Sequence, residues 1–236
     1  MAMTTEGNPL GREQPEARLD NQAASCFGQT PWQTVGPFFH YGLPWKGGAD
    51  LVGDSDMGAR PELFAEEHYV LNRAAPRGPV AGARIELFGR VLDADGAPVP
   101  DAMIEIWQAN AAGRYASPAD PRHDVKLDAG FRGFGRAATS NDGLYRFRTI
   151  KPGRVPGPGN TLQAPHIAVG VFGRGILKRL VTRIYFAGDP ANEEDPILHL
   201  VPEDRRDTLM AREAGEGVWE FDILLHGMRE TVFFEI

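Results

Sequence analysis

The sequence holds a single cysteine, Cys26, in 236 residues. One thiol closes no intrachain disulfide, so packing must hold the fold, and nothing points to an oxidising compartment. Long apolar runs are missing. The opening MAMTTEGNPLGREQPEARLDNQ has no apolar leader core, so the chain is expected to be soluble and cytoplasmic. Positive charge is not in excess: 25 Lys and Arg against 32 Asp and Glu give a net charge of -7 and a pI of about 5.4. That balance argues against nucleic acid or a membrane surface as partner. A Gly-rich phosphate loop, an H-E-x-x-H pair, a cysteine cluster and a G-x-S-x-G elbow are all missing, so the common nucleotide, zinc-protease and serine-hydrolase chemistries have no support.

What is present is a β pattern. With 42% hydrophobic residues the chain can bury one substantial core, and a single all-β domain of this size is ordinary. From residue 81 onward the apolar residues alternate, as a strand with one buried face requires. RIELFGRVL places Ile85, Leu87 and Gly89 on one face and turns at Asp93-Ala94-Asp95-Gly96. MIEIW sets Met103, Glu105 and Trp107 against Ile104 and Ile106. Further strands are read in GFGRAATS, LYRFRTI, HIAVGVFG, LVTRIYFAG, VWEFDILLHG and TVFFEI. Asn141-Asp142-Gly143 carries a hairpin signal. Pro202 to Glu213 reads as one amphipathic helix with proline in its first turn. The expectation is an antiparallel β-sandwich over 81–236, with short turns between many strands. Before it, 1–28 is polar and expected to be mobile. Residues 29–80 form an arm and linker. TPWQTVGPFFHYGLPW, with prolines at 31, 37 and 44, cannot be a regular helix, and its aromatic density suits an extended arm lying on an apolar surface.

Three residues and one basic run carry candidate chemistry. His166 opens an apolar strand, yet position 168, on the same face, is alanine. Arg174 stands between two glycines, which let a ligand or backbone come close. Tyr115 lies in a loop just past a strand. Arg174, Lys178, Arg179 and Arg183 form a basic run that suits either an anionic ligand or an exposed edge strand protected by charge.

PVPDAMIEIWQANAAGRY, GFGRAATSNDGLYRFRTIKPG, APHIAVGVFGRG, TRIYFAGD and FDILLHGMRETVFFEI together resemble the intradiol ring-cleavage dioxygenases, from about Thr30 to Ile236. The resemblance implies a β-sandwich with a mononuclear non-haem Fe(III) held by two tyrosinates and two histidines. Phenolates are hard anionic donors that favour the ferric state. The first tyrosine corresponds to Tyr115. The second belongs in K-P-G-x-Y-P, which reads Lys151-Pro152-Gly153-Arg154-Val155-Pro156, so Val155 replaces a phenol. The first histidine corresponds to His166 and the second to Ala168. Two donors of four are absent, and no metal is expected to be bound by this chain.

Family members acting on protocatechuate consist of two homologous chains. A β chain holds the iron, and an α chain shares the fold without the full ligand set. The resemblance implies the second kind, in an (αβ)n hetero-oligomer that takes protocatechuate and O2 at a shared pocket. It carries over Thr34, Gly36, Pro37 and Phe38 of the arm, with Arg174, as the contribution to the partner's pocket. Phe38 stands where members often have tyrosine. Two alternatives remain open: a self-sufficient iron enzyme with replacement ligands such as His123, Tyr145 or a carboxylate, and a binding module with no catalytic association.

Overall fold

The computed structural model describes residues 33–36, 38–53, 55–70, 73–74 and 78–235. Cys26, the stretch 1–28, Thr30 to Trp32 and Pro37 lie outside the described residues. The chain divides into two compact units, Met1–Gln33 and Thr34–Ile236; the fold below is that of the second.

It is mostly β. The strands are β1 (Arg84–Leu92), β2 (Met103–Trp107), β3 (Phe134–Ala138), β4 (Leu144–Ile150), β5 (Val155–Pro156), β6 (Leu162–Gln163), β7 (His166–Phe172), β8 (Leu180–Phe186), β9 (Met210–Gly215), β10 (Val218–Glu220) and β11 (Ile223–Leu224). A nearly closed sheet runs β4–β1–β10–β9–β8–β7–β2–β3, with β11 continuing along the β10 side of β1. β5 and β6 form a separate two-stranded ladder. The larger of two apolar clusters fills the inside, with Ile85, Leu87, Ile104, Phe147, Ile167 and Ile184 all buried. These are the alternating positions of the sequence pattern, so the inward face was set by period-2 patterning. Gly89 continues that face because a side chain there has no room: a Cβ would lie 1.7 Å from the Phe221 carbonyl oxygen. Tyr145 Oη donates to the same oxygen at 2.5 Å.

Four expectations change. The sheet is mixed and not antiparallel throughout, since β10 and β11 run parallel to β1 and β9 runs parallel to β8. The segment after Pro202 is a short 3-10 helix, Glu203–Leu209, and not a helix reaching Glu213. Met210 and Ala211 pair instead with Tyr185 and Phe186, so sheet pairing overrides helix propensity. Asn141-Asp142-Gly143 does form a turn, with Gly143 at φ 70°, but not a hairpin: β3 pairs with β2 and β4 with β1. TVFFEI is not a strand over its described residues. It is a strap tied to β8 by Phe234 N to Val181 O at 2.7 Å and Thr182 Oγ1 to Val232 O at 2.7 Å.

The stretch after Trp45 is built into the sheet. Gly48 O accepts from Arg136 N of β3, and Ala49 O accepts from Arg148 N of β4. Leu51 N donates back to Arg148 O at 2.8 Å. This segment therefore bridges the two ends of the sheet path, and Ala49, Leu51 and Val52 are buried in the core. Gly135 of β3 is glycine for the same reason: a Cβ would lie 2.5 Å from Leu51 Cδ1.

Candidate functional site

The outer face of β2, β7 and β8 carries the first group. Register sets Trp107 opposite Ala168 and Ala168 opposite Arg183. His166 stands opposite Tyr185. Directly opposed residues project to one face, so all five share it, turned away from Ile167 and Ile184 of the core. Tyr115 arrives from the loop after β2, and its ring stacks on Trp107 at 5.8 Å with an interplanar angle of 12°.

Local chemistry shapes that loop. Asn110 Oδ1 accepts from Ala112 N and Arg114 N, an Asx-type turn. Gly113 adopts φ +76°, and a Cβ there would fall 1.9 Å from the Arg154 carbonyl oxygen. Glycine alone permits this approach, which brings the Tyr115 loop against Val155. Tyr115 N donates to Asp120 Oδ2 at 2.9 Å. The Arg122 guanidinium on Asp120 holds that carboxyl far below the usual range. Val155 is buried and pairs with Gln163. A cavity of about 330 Å³ lies between Trp107, Tyr115, Asp120, Arg122, Val155 and Gln163.

His166 is buried. Its Nδ1 lies 2.8 Å from the Ala164 carbonyl oxygen, and since a carbonyl only accepts, Nδ1 carries the proton. Burial first, and then the Arg183 charge, lower its pKa to about 4, so the ring is neutral at pH 7. Burial pushes the Tyr115 phenol up. Arg183 Nη1 donates to Gln163 Oε1 at 2.6 Å and lies 3.4 Å from Tyr185 Oη. An exposed basic edge therefore does not describe Arg183, which is half-buried with its guanidinium held by Gln163.

The structure thus gathers Tyr115, Val155, His166 and Ala168 into one neighbourhood. Two of these, Val155 and Ala168, offer a metal no donor atom. Among the described residues, no three His, Cys, Asp or Glu side chains come together as a metal site.

The second group lies past the other end of β7, which at about 3.3 Å per residue is about 20 Å from His166. Gly175 N donates to Thr34 Oγ1 at 2.7 Å, so the arm meets the turn that carries Arg174. Arg174 Nη2 lies 3.0 Å from Asp101 Oδ2. Phe38 is 76% exposed, and a Cβ at Gly36 would meet nothing within 4 Å. No helix among the described residues is long and apolar enough to cross a membrane. His123 lies 3.5 Å from Arg114 Nη2, and Tyr145 is buried in the core; neither joins the Tyr115–His166 group.

A family model described as "Dioxygenase" matches residues 64–227. The alpha chain of protocatechuate 3,4-dioxygenase from Burkholderia cepacia is 43% identical over 216 residues, 88% of this chain and 98% of that one. The chain belongs to the intradiol ring-cleavage dioxygenases. The beta chain of the same Burkholderia cepacia protein is 42% identical over 192 residues, covering 78% of this chain and 79% of its own. The solved structure of hydroxyquinol 1,2-dioxygenase from Pseudomonas putida DLL-E4 has 20% identity and a TM-score of 0.51, over 86% of this chain and 68% of that one, and supports the fold. Intradiol dioxygenases are iron-dependent in general. The donor set of this intradiol chain does not fit that ion, since Val155 and Ala168 present methyl groups and the Arg183 cation stands opposite Ala168.

The stacking of Trp107 on Tyr115, the part of Gln163 and the place of Arg183 beside Ala168 had escaped the sequence reading. So had Asp195, a fully buried carboxylate. The signal for Arg183 was the β7–β8 register. Centring that hairpin on Gly175 and Ile176 pairs 168 with 183.

Proposed function

We propose that this chain is the alpha-type subunit of a cytoplasmic protocatechuate 3,4-dioxygenase, an (αβ)n hetero-oligomer whose Fe(III) is held by the homologous beta chain. The assembly cleaves 3,4-dihydroxybenzoate with O2 to 3-carboxy-cis,cis-muconate, and the strands form the family's β-sandwich. One observation carries the reading: valine and alanine stand at two donor positions beside a retained Tyr115 and His166. Overall identity does not separate the two chain types, at 43% to an alpha chain and 42% to a beta chain. Coverage favours alpha, at 98% of the alpha chain against 79% of the beta chain.

The chain's own contribution is a wall and a charge. Thr34, Gly36, Pro37 and Phe38 offer the partner's pocket a stiff backbone with an aromatic end, and Gly36 leaves room for a flat ring. Arg174 supplies a cation for the substrate carboxylate, remote from the reacting hydroxyls. An exposed pair like Arg174–Asp101 is worth little, so exchanging Asp101 for the substrate carboxylate costs little. In the co-purified complex, Arg174→Ala raises KM about tenfold, the equivalent of one charge-assisted hydrogen bond, while kcat at saturation changes little. An unchanged KM counts against this role.

Co-expression with a homologous chain bearing both K-P-G-x-Y-P and H-x-H tests the reading as a whole. The complex carries iron on the partner, and the present chain alone is colourless and iron-poor. A lone chain that holds stoichiometric iron and opens protocatechuate in air overturns the proposal.

A further inference from the structure

We infer that Arg183 stands in for the missing metal as the site's fixed cation, so that the site rejects a metal ion by charge as well as by its lack of donors. This rests on the reading of Tyr115, Val155, His166 and Ala168 as vacated donor positions. Arg183 touches the surroundings of both absent donors. It is the direct cross-strand neighbour of Ala168, whose small side chain leaves the long arginine its room. Its Nη1 donates to Gln163 Oε1 at 2.6 Å, and Gln163 is the ladder partner of Val155. Its charge also bears on the two retained donors, Tyr115 and His166.

The hydrogen bonds that hold the guanidinium go to neutral groups, the Gln163 amide and the Tyr185 hydroxyl. Gln163 is itself fixed, with Nε2 donating to Pro156 O at 2.7 Å. A pre-placed positive charge on a partly buried face is poorly screened and repels any di- or trivalent cation entering between Tyr115 and His166. Restoring the two donors is therefore not enough to restore a metal site.

The test uses the full-length chain, purified metal-free, as Val155→Tyr/Ala168→His, as the same pair with Arg183→Gln, and as the same pair with Arg183→Lys. Each is exposed to iron in air. Iron retained after gel filtration is counted, and tyrosinate-to-iron absorption is recorded. The Arg183→Gln form takes up iron and colours. The donor pair alone and the Arg183→Lys form bind more than about a hundredfold more weakly, as an unscreened unit charge at close range predicts. The inference is overturned if the donor pair alone binds as tightly as the Arg183→Gln form, or if a folded Arg183→Gln form takes up no iron. Should Val155→Tyr prevent folding, zinc(II) competition with a chelator on Ala168→His, with and without Arg183→Gln, decides the same point, and equal affinities overturn it. Stoichiometric iron in the unaltered chain defeats the parent reading. A failure confined to the comparison between donor pair and Arg183→Gln defeats only the role of Arg183.

Discussion

Asp195→Asn lowers the stability of the chain by about 3 kcal/mol, the cost expected for breaking a buried, fully satisfied carboxylate. Asp195 is entirely buried. Its Oδ1 accepts from Ile197 N at 2.9 Å, Leu198 N at 2.7 Å and Tyr185 Oη at 3.2 Å. Its Oδ2 accepts from Ala164 N at 2.6 Å. An amide cannot serve this arrangement: in either orientation its NH2 faces a backbone N–H that needs an acceptor. The damage reaches the site, because Ala164 is the residue whose carbonyl holds His166 Nδ1. Urea unfolding should show a lower midpoint with an unchanged slope. A midpoint within error of wild type would show that Asp195 does not tie the entry of β7 to the segment after β8.

The second large effect is a loss of stability on acidification, traceable to His166. Its folded pKa of about 4 lies below the ordinary histidine value of about 6.5. The folded state therefore keeps this ring neutral over a range where the unfolded chain binds a proton. Stability is complete above the unfolded value and is lost as pH falls toward the folded one, at up to about 1.4 kcal/mol per pH unit. Across the whole window the loss is on the order of 3 kcal/mol. Burial is the main cause, and the Arg183 charge adds to it. Unfolding free energies of wild type and His166→Gln, measured between pH 7.5 and pH 4.5 in steps of about half a unit, should diverge in slope below neutrality. Parallel curves would mean that His166 titrates normally.

The inward face of the fold was legible because it depends on local alternation. Ile85, Leu87, Ile104, Ile106 and Ile167 needed only a period of two to be placed in the core. Pairing was less legible, since it is decided between distant segments. The Asp-Gly turn at 142 and 143 is real, yet the strands on either side go to opposite ends of the sheet path. The helix read over 202–213 stops at Leu209 because Met210 finds a backbone partner in Tyr185 that no local propensity announces.

The candidate site divides in the same way. Val155 and Ala168 were read through the family's spacing, which is linear information. Arg183 required the β7–β8 register, so a residue of an apparent basic edge turned out to lie beside Ala168 and Gln163. Trp107 was correctly placed on the face opposite Ile104 and Ile106, but its stacking on Tyr115 depends on how the following loop folds back. Asp195 had no sequence signal, because a buried carboxylate differs from a solvated one only in the three-dimensional company it keeps.

The family match opens at residue 64, but the sheet path is closed by residues that precede it. Gly48, Ala49 and Leu51 hold the two rims of the sheet path together through their own peptide groups, and Leu51 fills the space that Gly135 leaves. A truncation designed on the homology boundary would strip Ala49, Leu51 and Val52 out of the interior and leave Arg136 and Arg148 with unanswered amides. The piece of chain that carries Thr34 and Phe38 is thus continuous with a structural closure, and a cut at the homology boundary removes both.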